Sequence, residues 1–421
     1  MLKFLSPLTL FKDPEIAPLF IARLVSSAGV GFGELALAWG VMGLGYGPGG
    51  LSLVLACNSV PALIIFTGVV GDRFRRHHIL IAAETITCIA WLALGACFLT
   101  GQAPLPLLCA LGMLSGIATA MFLPTIRGIT ADLLSGRERL DGNAIVNQTE
   151  SIGLASSGMV VTALGPGWAA STRGVLCAVS AFILSRLNTP RWQKTKNSVL
   201  RDLRIGWREF TTHRWVWIMT LEYTVVIIAM VCYDSIAAPV YMAHGHAVHR
   251  PGASSPPANT SAPWPARSSA PAGSRRDSSW PSRLVLAAAA LPAAGAIPMI
   301  LMGVETPWLL LAGAAILPGA CEAIYYVLWT TALQDTFAPD VLVRVNSWNI
   351  IASYILMPVT LLTAGPLVDQ LGPQPTILGT AALTVLATAC SLVALRSTAT
   401  MPAAVKAGDL WPINDAEGSM R

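Results

Sequence analysis

Long apolar runs separated by short polar punctuation make up most of this chain. They fall at residues 16–43, 51–71, 79–100, 105–127, 143–165, 170–187, 215–242, 284–303, 307–333, 346–370 and 374–396. Most are about 20 residues long or more, enough to cross a ~30 Å hydrocarbon core as a helix. Inside lipid every backbone N–H and C=O must be satisfied within the segment, so such runs form helices. The pattern therefore predicts an all-α membrane protein.

The polar positions between the runs are asymmetric. One set of loops is basic: Arg73, Arg75 and Arg76, then Arg137 and Arg139, then Arg191, Lys194, Lys196, Arg201, Arg204, Arg208 and Arg214. The alternate loops, Gly45–Gly50, Gly101–Pro104 and Gly165–Ser171, are short and carry almost no charge. Cytoplasmic loops accumulate Lys and Arg, so this pattern places the basic loops and both termini inside. The stretch from Gly68 to His78 is too short to hold a domain, so it closes a membrane hairpin between two runs. The polar segment 188–214 divides the chain near its middle. Its Trp207, Phe210 and Arg204 suit an amphipathic helix on the inner membrane face. No cleavable signal peptide is read in Met1–Lys12.

Composition narrows the function classes. Of 421 residues, 54% are hydrophobic and only 12% charged, against about 25% charged in soluble domains. The net charge of +5 lies in the loops of one face, so it reports topology and not nucleic-acid binding. The eight cysteines all fall inside apolar runs, none in C-x-x-C spacing, so neither a zinc site nor a disulfide framework is expected. His244, His246 and His249 have ligand-like spacing but no supporting acid nearby, and no metal is expected there. No phosphate-cradling Gly-rich loop with a Lys-Ser/Thr ending is present, which argues against ATP-driven transport by this chain and against a cofactor. No catalytic triad sits on a plausible scaffold, so an enzyme is not expected.

The chain also repeats. Asp132 precedes Asn143 by 11 positions, and Asp335 precedes Asn346 by 11, with 203 positions between the two copies. Each pair brackets a short cytoplasmic loop between a fourth and a fifth span. Two tandem six-helix halves are a transporter plan. That plan needs twelve spans, and the runs supply eleven. The missing span eight falls at residues 243–283, which are rich in Ser, Pro, Ala and Arg. Parity requires this stretch to cross the membrane, yet arginine at the bilayer centre costs ~3 kcal/mol and proline breaks the helical ladder. Two explanations stand: a natural polar loop with altered topology, or compensating frame shifts in a GC-rich gene. The expected domains are an N-terminal bundle at 14–187, a cytoplasmic linker at 188–214, a C-terminal bundle at 215–396 and a cytoplasmic tail at 397–421.

The turn Gly68-Val-Val-Gly71-Asp72-Arg73-Phe-Arg75-Arg76, the repeat, the central basic linker and Arg23-Leu-Val-Ser-Ser-Ala-Gly29 opening span one resemble the major facilitator superfamily, specifically its bacterial drug-efflux and siderophore-export branch. The resemblance covers the chain apart from 243–283. It departs at Arg75, where many members carry Gly. It departs again after span eight, where Arg275-Arg276-Asp277 stands in place of a second copy of the turn. The span-five antiporter motif survives only as Gly153 and Gly158, with Gly165-Pro166 at its end. The resemblance implies a gating role for Gly68, Gly71, Asp72, Arg73, Arg75 and Arg76, whose charges would hold one closed state of the transporter.

Charged side chains inside spans are costly and become functional candidates for that reason. Glu34 stands mid-span between Gly33 and Leu35, where related exporters carry an acid for proton or cation coupling. Asp234 and Glu322 are its second-half counterparts. Glu84, Glu150 and Glu222 lie nearer span ends and read as structural. Arg23 snorkels inward or pairs with one of these acids. Arg127 ends span four, where some relatives carry a substrate-linked basic residue. Trp39, Tyr325 and Tyr326 are further candidates for a cavity wall, alongside interfacial roles. The reading is a monomeric multi-pass transporter of a bacterial cytoplasmic membrane. Its partners would be a small amphipathic molecule, protons and the bilayer, and not nucleic acid, with export by proton antiport. An importer on the same fold, or a relic lacking span eight, are the alternatives.

Overall fold

The computed structural model describes residues 17–65, 76–133, 136–186, 207–208, 210–243, 280–337 and 339–397. Gly68, Gly71, Asp72, Arg73 and Arg75 lie outside the described residues, as do residues 1–16, most of the linker 188–214, the histidines at 244–249, the stretch 244–279 and residues 398–421.

Helices form wherever the apolar runs predict them, and no strand occurs among the described residues. They are α1 (Ala17–Gly43), α2 (Gly47–Ile65), α3 (Arg76–Thr100), α4 (Leu105–Leu133) and α5 (Gly136–Ser185). Then come α6 (Arg214–Cys232), a π turn (Tyr233–Ala237) and α7 (Ala238–Ala243), followed by α8 (Trp280–Ala290), a 3₁₀ turn (Leu291–Gly295) and α9 (Ala296–Gly303). The chain ends with α10 (Trp308–Ala314), α11 (Ile316–Thr336), α12 (Pro339–Tyr354), α13 (Met357–Leu371) and α14 (Pro373–Ser397). Every one of the eleven apolar runs has a helical counterpart, and nine helical stretches among the described residues are long and apolar enough to span a bilayer.

The repeat reappears in the backbone, with one correction. The intervals Asp132–Asn143 and Asp335–Asn346 are mostly helix, not loop. In the first, helix runs to Leu133 and resumes at Gly136; in the second it runs to Thr336 and resumes at Pro339. Both boundaries recur 203 positions apart, the same spacing as the side-chain pairs. A second echo follows. Gly165 (φ 77°, ψ 162°) breaks α5 just before Pro166, and Gly372 (φ 85°, ψ 161°) separates α13 from α14 just before Pro373. Both need a positive φ that only glycine adopts cheaply, followed by a proline that restarts a helix without missing a donor.

The apolar cores divide along the chain. Two clusters draw only on residues 19–184, built around Leu37, Trp91 and Leu94 and around Leu19, Leu80 and Leu184. A third draws only on residues 210–395, around Trp215, Trp329 and Val345. Trp207 stacks against Phe210 at 6.0 Å and Trp348 at 4.7 Å, so the end of the linker is tied to this third cluster. A fourth cluster joins Ala56 of α2 to Ile236, Met299 and Leu361. The substantial contacts between residues 17–185 and residues 214–397 are those of α2 with α13, of α1 and α2 with the π turn, and of α1 with α7. They are made mainly at the end bearing Gly45–Gly50 and Gly372, where Gly365 of α13 lies 2.6 Å, measured from a Cβ built on it, from the Pro48 carbonyl.

Small residues set the helix spacing, as is usual within membranes. A Cβ on Gly112 would stand 3.0 Å from the Val54 carbonyl, and one on Gly116 would overlap the Asn58 carbonyl. Asn58 Nδ2 donates to the Gly112 carbonyl at 3.0 Å, which locks α2 to α4. Gly116→Leu is therefore expected to destabilise the purified protein by about 1–3 kcal/mol, the usual range for overpacking, whereas Gly313→Leu, which meets nothing within 4 Å, leaves the melting temperature unchanged. Thermal unfolding followed by size-exclusion chromatography checks the pair.

Candidate functional site

A cavity of about 610 Å³ opens between the two sets of helices. Its two walls differ in chemistry. The wall from α1–α5 is polar, with Arg23, Glu34, Asn58, Glu84, Ser115 and Arg173 on it. The wall from the π turn, α7, α9, α10 and α13 is largely apolar, with Met242, Pro298, Met302, Met357 and Leu361, and with Asp234 as its acid.

Glu34 reaches this space because α1 turns its small-residue face, Gly29 and Gly33, onto α5. A Cβ on Gly29 would come 3.3 Å from the Arg173 Cγ, and one on Gly33 would overlap the Arg173 side chain. The glycines thus make a slot along α1 that the arginine fills. Arg173 is only 9% exposed. Its guanidinium carbon lies 3.9 Å from the centre of the Trp91 ring, and one of its terminal nitrogens donates to the Val30 carbonyl at 3.3 Å. Cation–aromatic attraction of this kind is strongest when water is excluded. Trp91 is itself held by its Nε1, which donates to Ser115 Oγ at 3.0 Å. Arg173 interacts electrostatically with Glu34 and Glu84. Glu84 is 2% exposed and accepts a hydrogen bond from Ser180 Oγ at 3.0 Å, with Arg23 also within electrostatic reach. The polar wall is therefore a ladder of alternating charge, Arg23, Glu84, Arg173 and Glu34, of which the first three are buried and Glu34 is exposed.

Asp234 comes from the opposite wall. It sits in the π turn Tyr233–Ala237, a geometry common at functional sites. The cause lies in the sequence. Pro239 has no N–H, and in a regular helix its ring collides with the carbonyl four residues back, at Ser235. Widening one turn relieves this: the Ala238 N–H bonds to Tyr233 O, five residues back. Asp234 interacts electrostatically with Glu34 and Glu322. Glu34 and Asp234 stand 200 positions apart in the sequence, close to the repeat spacing, in spans one and seven.

The remaining sequence candidates are placed as follows. Glu322 lies on α11, near enough to Asp234 to interact with it but outside the cavity lining. Tyr325 is buried in the third cluster and stacks on Tyr223 at 5.2 Å. Tyr326 is 68% exposed on the outer surface. Trp39 packs into the first cluster. None of these three aromatics lines the cavity. Asp335 is exposed in the last turn of α11. Arg127 and Asp132 fall on α4, Asn143 on α5 and Asn346 on α12, while Arg76 opens α3; their side chains lie outside the described residues. Arg173 went unread in the sequence although a cation inside an apolar run is the signal that flagged the acids, and Glu84 read as structural. Among the described residues no group of three or more His, Cys, Asp or Glu converges on a metal position.

Comparison with known proteins agrees with this arrangement. Residues 19–359 match the family described as Major Facilitator Superfamily. Curated proteins supply no match. Among solved structures, the chain is similar to a point variant of the nucleoside transporter NupG, with TM-score 0.66 and 12% identity over 89% of this chain and 99% of that one. It is also similar to a bacterial homologue of the human lysosomal transporter Spinster, inward-facing and unoccupied, with TM-score 0.62 and 14% identity over 91% and 98%. A third likeness is to the POT-family transporter PepTSo, with TM-score 0.58 and 13% identity over 91% and 98%. At these identities the likeness is one of fold.

Proposed function

We propose that this chain, which belongs to the Major Facilitator Superfamily, is a secondary active transporter that exports an amphipathic small molecule in exchange for protons. One observation carries the reading: a cavity between the two sets of helices, with a carboxyl on each wall, Glu34 and Asp234. Charged carboxyls are expensive in low dielectric, so taking up and releasing a proton is the step that links the acid to the gradient. Glu322 extends this set through Asp234.

In this reading two bundles, 14–187 and 215–396, rock about the cavity to give alternating access. The contacts of α1 and α2 with α7 and α13 close the outer end, so the state is inward-facing. The linker 188–214 and the tail 397–421 lie in the cytoplasm of a bacterium with both termini inside, and the monomer is the working unit. The turn from Gly68 to Arg76 gates the inner end. Residues 243–283 carry span eight, in this frame or in a restored one.

The test is flux in membrane vesicles containing the full chain, with a fluorescent amphipathic solute. Export predicts that inside-out vesicles with an acid lumen accumulate the solute and that collapsing the gradient stops it. Accumulation only in right-side-out vesicles with an acid exterior reverses the direction to import. Solute movement indifferent to the gradient in both orientations defeats proton coupling.

A further inference from the structure

Side chains on opposite walls of the cavity carry buried polar atoms of opposite character with no hydrogen-bond partner. One is Arg173 Nε, a donor on the polar wall, and the other is Asp234 Oδ1, an acceptor on the apolar wall. Buried donors and acceptors are nearly always paired, and an orphan is costly. The bends and slots that place these two side chains are built into the fold: the glycine face of α1 for Arg173 and the π turn ahead of Pro239 for Asp234. Both residues border the same space, from opposite sides.

We propose that the cavity recognises an amphipathic zwitterion. Its anionic group docks on Arg173, its protonated amine docks on Asp234, and its apolar body lies on Met242, Met302, Met357 and Leu361. The chemistry of the walls selects against simpler ligands. A purely anionic ligand leaves Asp234 unanswered and faces Glu34 and Glu84. A purely cationic one answers Asp234 but leaves the Arg173 Nε donor without a partner. Arg173 and Asp234 lie on opposite walls, so a ligand that answers both carries its two charges at opposite ends. Methionine side chains adapt to bodies of different shape, so the ends of the cargo are specified more tightly than its middle. This inference rests on the transporter reading only in taking the cavity as the cargo site.

Binding to the full chain in nanodiscs, measured by calorimetry at pH 7 with no gradient, tests it. The probes are leucyl-phenylalanine, its methyl ester, its N-acetyl derivative and the doubly capped compound, which share one apolar body. A parallel series compares lysophosphatidylethanolamine with its N-acetylated form. The free zwitterion of at least one series is expected to bind about tenfold tighter than a form with either charge capped. The winning series tells a peptide-like source from a lipid one. Arg173→Lys keeps the charge but loses Nε, and it should close the gap between the dipeptide and its ester. Asp234→Asn should close the gap between each free amine and its acetylated form. The unmodified protein alone decides the matter if a variant fails to fold. Capping that leaves affinity unchanged in both series, or the absence of binding by any probe, overturns the proposal. Because no gradient is applied, loss of zwitterion preference and loss of proton-driven flux are read separately.

Discussion

Glu34→Gln lowers gradient-driven flux by about a hundredfold, the order expected when a positioned proton-transfer group is removed, while the protein stays monodisperse and its melting temperature is held. The argument begins with placement. Glu34 stands on α1 between Gly33, which admits Arg173, and Leu35, and it borders the cavity. Glutamine keeps the size and polarity of the side chain but cannot carry a proton on and off. Glu34 is exposed and Arg173 keeps Glu84 within electrostatic reach, so stability need not fall. Asp234→Asn should behave alike on the other wall. Flux against pH separates proton linkage from simple wall chemistry: the native protein moves solute faster as the gradient steepens, and either variant responds flatly. A Glu34→Gln protein that retains gradient-dependent flux removes Glu34 from the coupling step.

Much of this arrangement was legible in the sequence because lipid enforces one rule everywhere. A run that crosses the membrane must be helical and apolar, so the helices follow from hydropathy alone, and Glu34 and Asp234 stand out as exceptions within their runs. Azimuth was not legible. Where a helix is apolar all round, as α11 is, periodicity does not say which face meets a cavity, so Tyr325 and Tyr326 could not be separated from the lining by inspection. Arg173 was missed for a related reason. Gly165–Ser171 reads as an outer loop, which puts the arginine at a membrane edge where basic residues need no explanation. The structure starts the helix again at Pro166, directly after the break at Gly165, and this draws Arg173 a full turn deeper. The Gly-Pro break at 165 has a counterpart at 372, 207 positions on and four off the Asp–Asn spacing, a looser repeat signal that is readable once the backbone shows what the glycines do.

The second large effect is expected from one methyl group. Three glycines of α1 form a graded series toward α5: Gly43 meets nothing within 4 Å, Gly29 would place a Cβ 3.3 Å from Arg173 and Leu176, and Gly33 would place one on the Arg173 side chain itself. Alanine in a helix interior is favoured over glycine by about 1 kcal/mol, and the atoms that Gly33→Ala would strike belong to the outer part of a flexible side chain. The fold therefore survives. What changes is where the guanidinium rests. It can no longer lie over Trp91 at 3.9 Å, and its reach to Glu34, Glu84 and the cavity changes with it. Flux should fall about tenfold for Gly33→Ala, the loss for one charge-assisted contact of about 1.4 kcal/mol. Gly29→Ala should lose less and Gly43→Ala nothing, with all three melting within a few degrees of the native protein. Trp91 emission, isolated by subtracting a Trp91→Phe background, should shift in Gly33→Ala alone. If Gly33→Ala transports as well as Gly43→Ala while its Trp91 emission shows the arginine displaced, Arg173 is a packing element of α1 and α5 and the charge ladder has no part in transport.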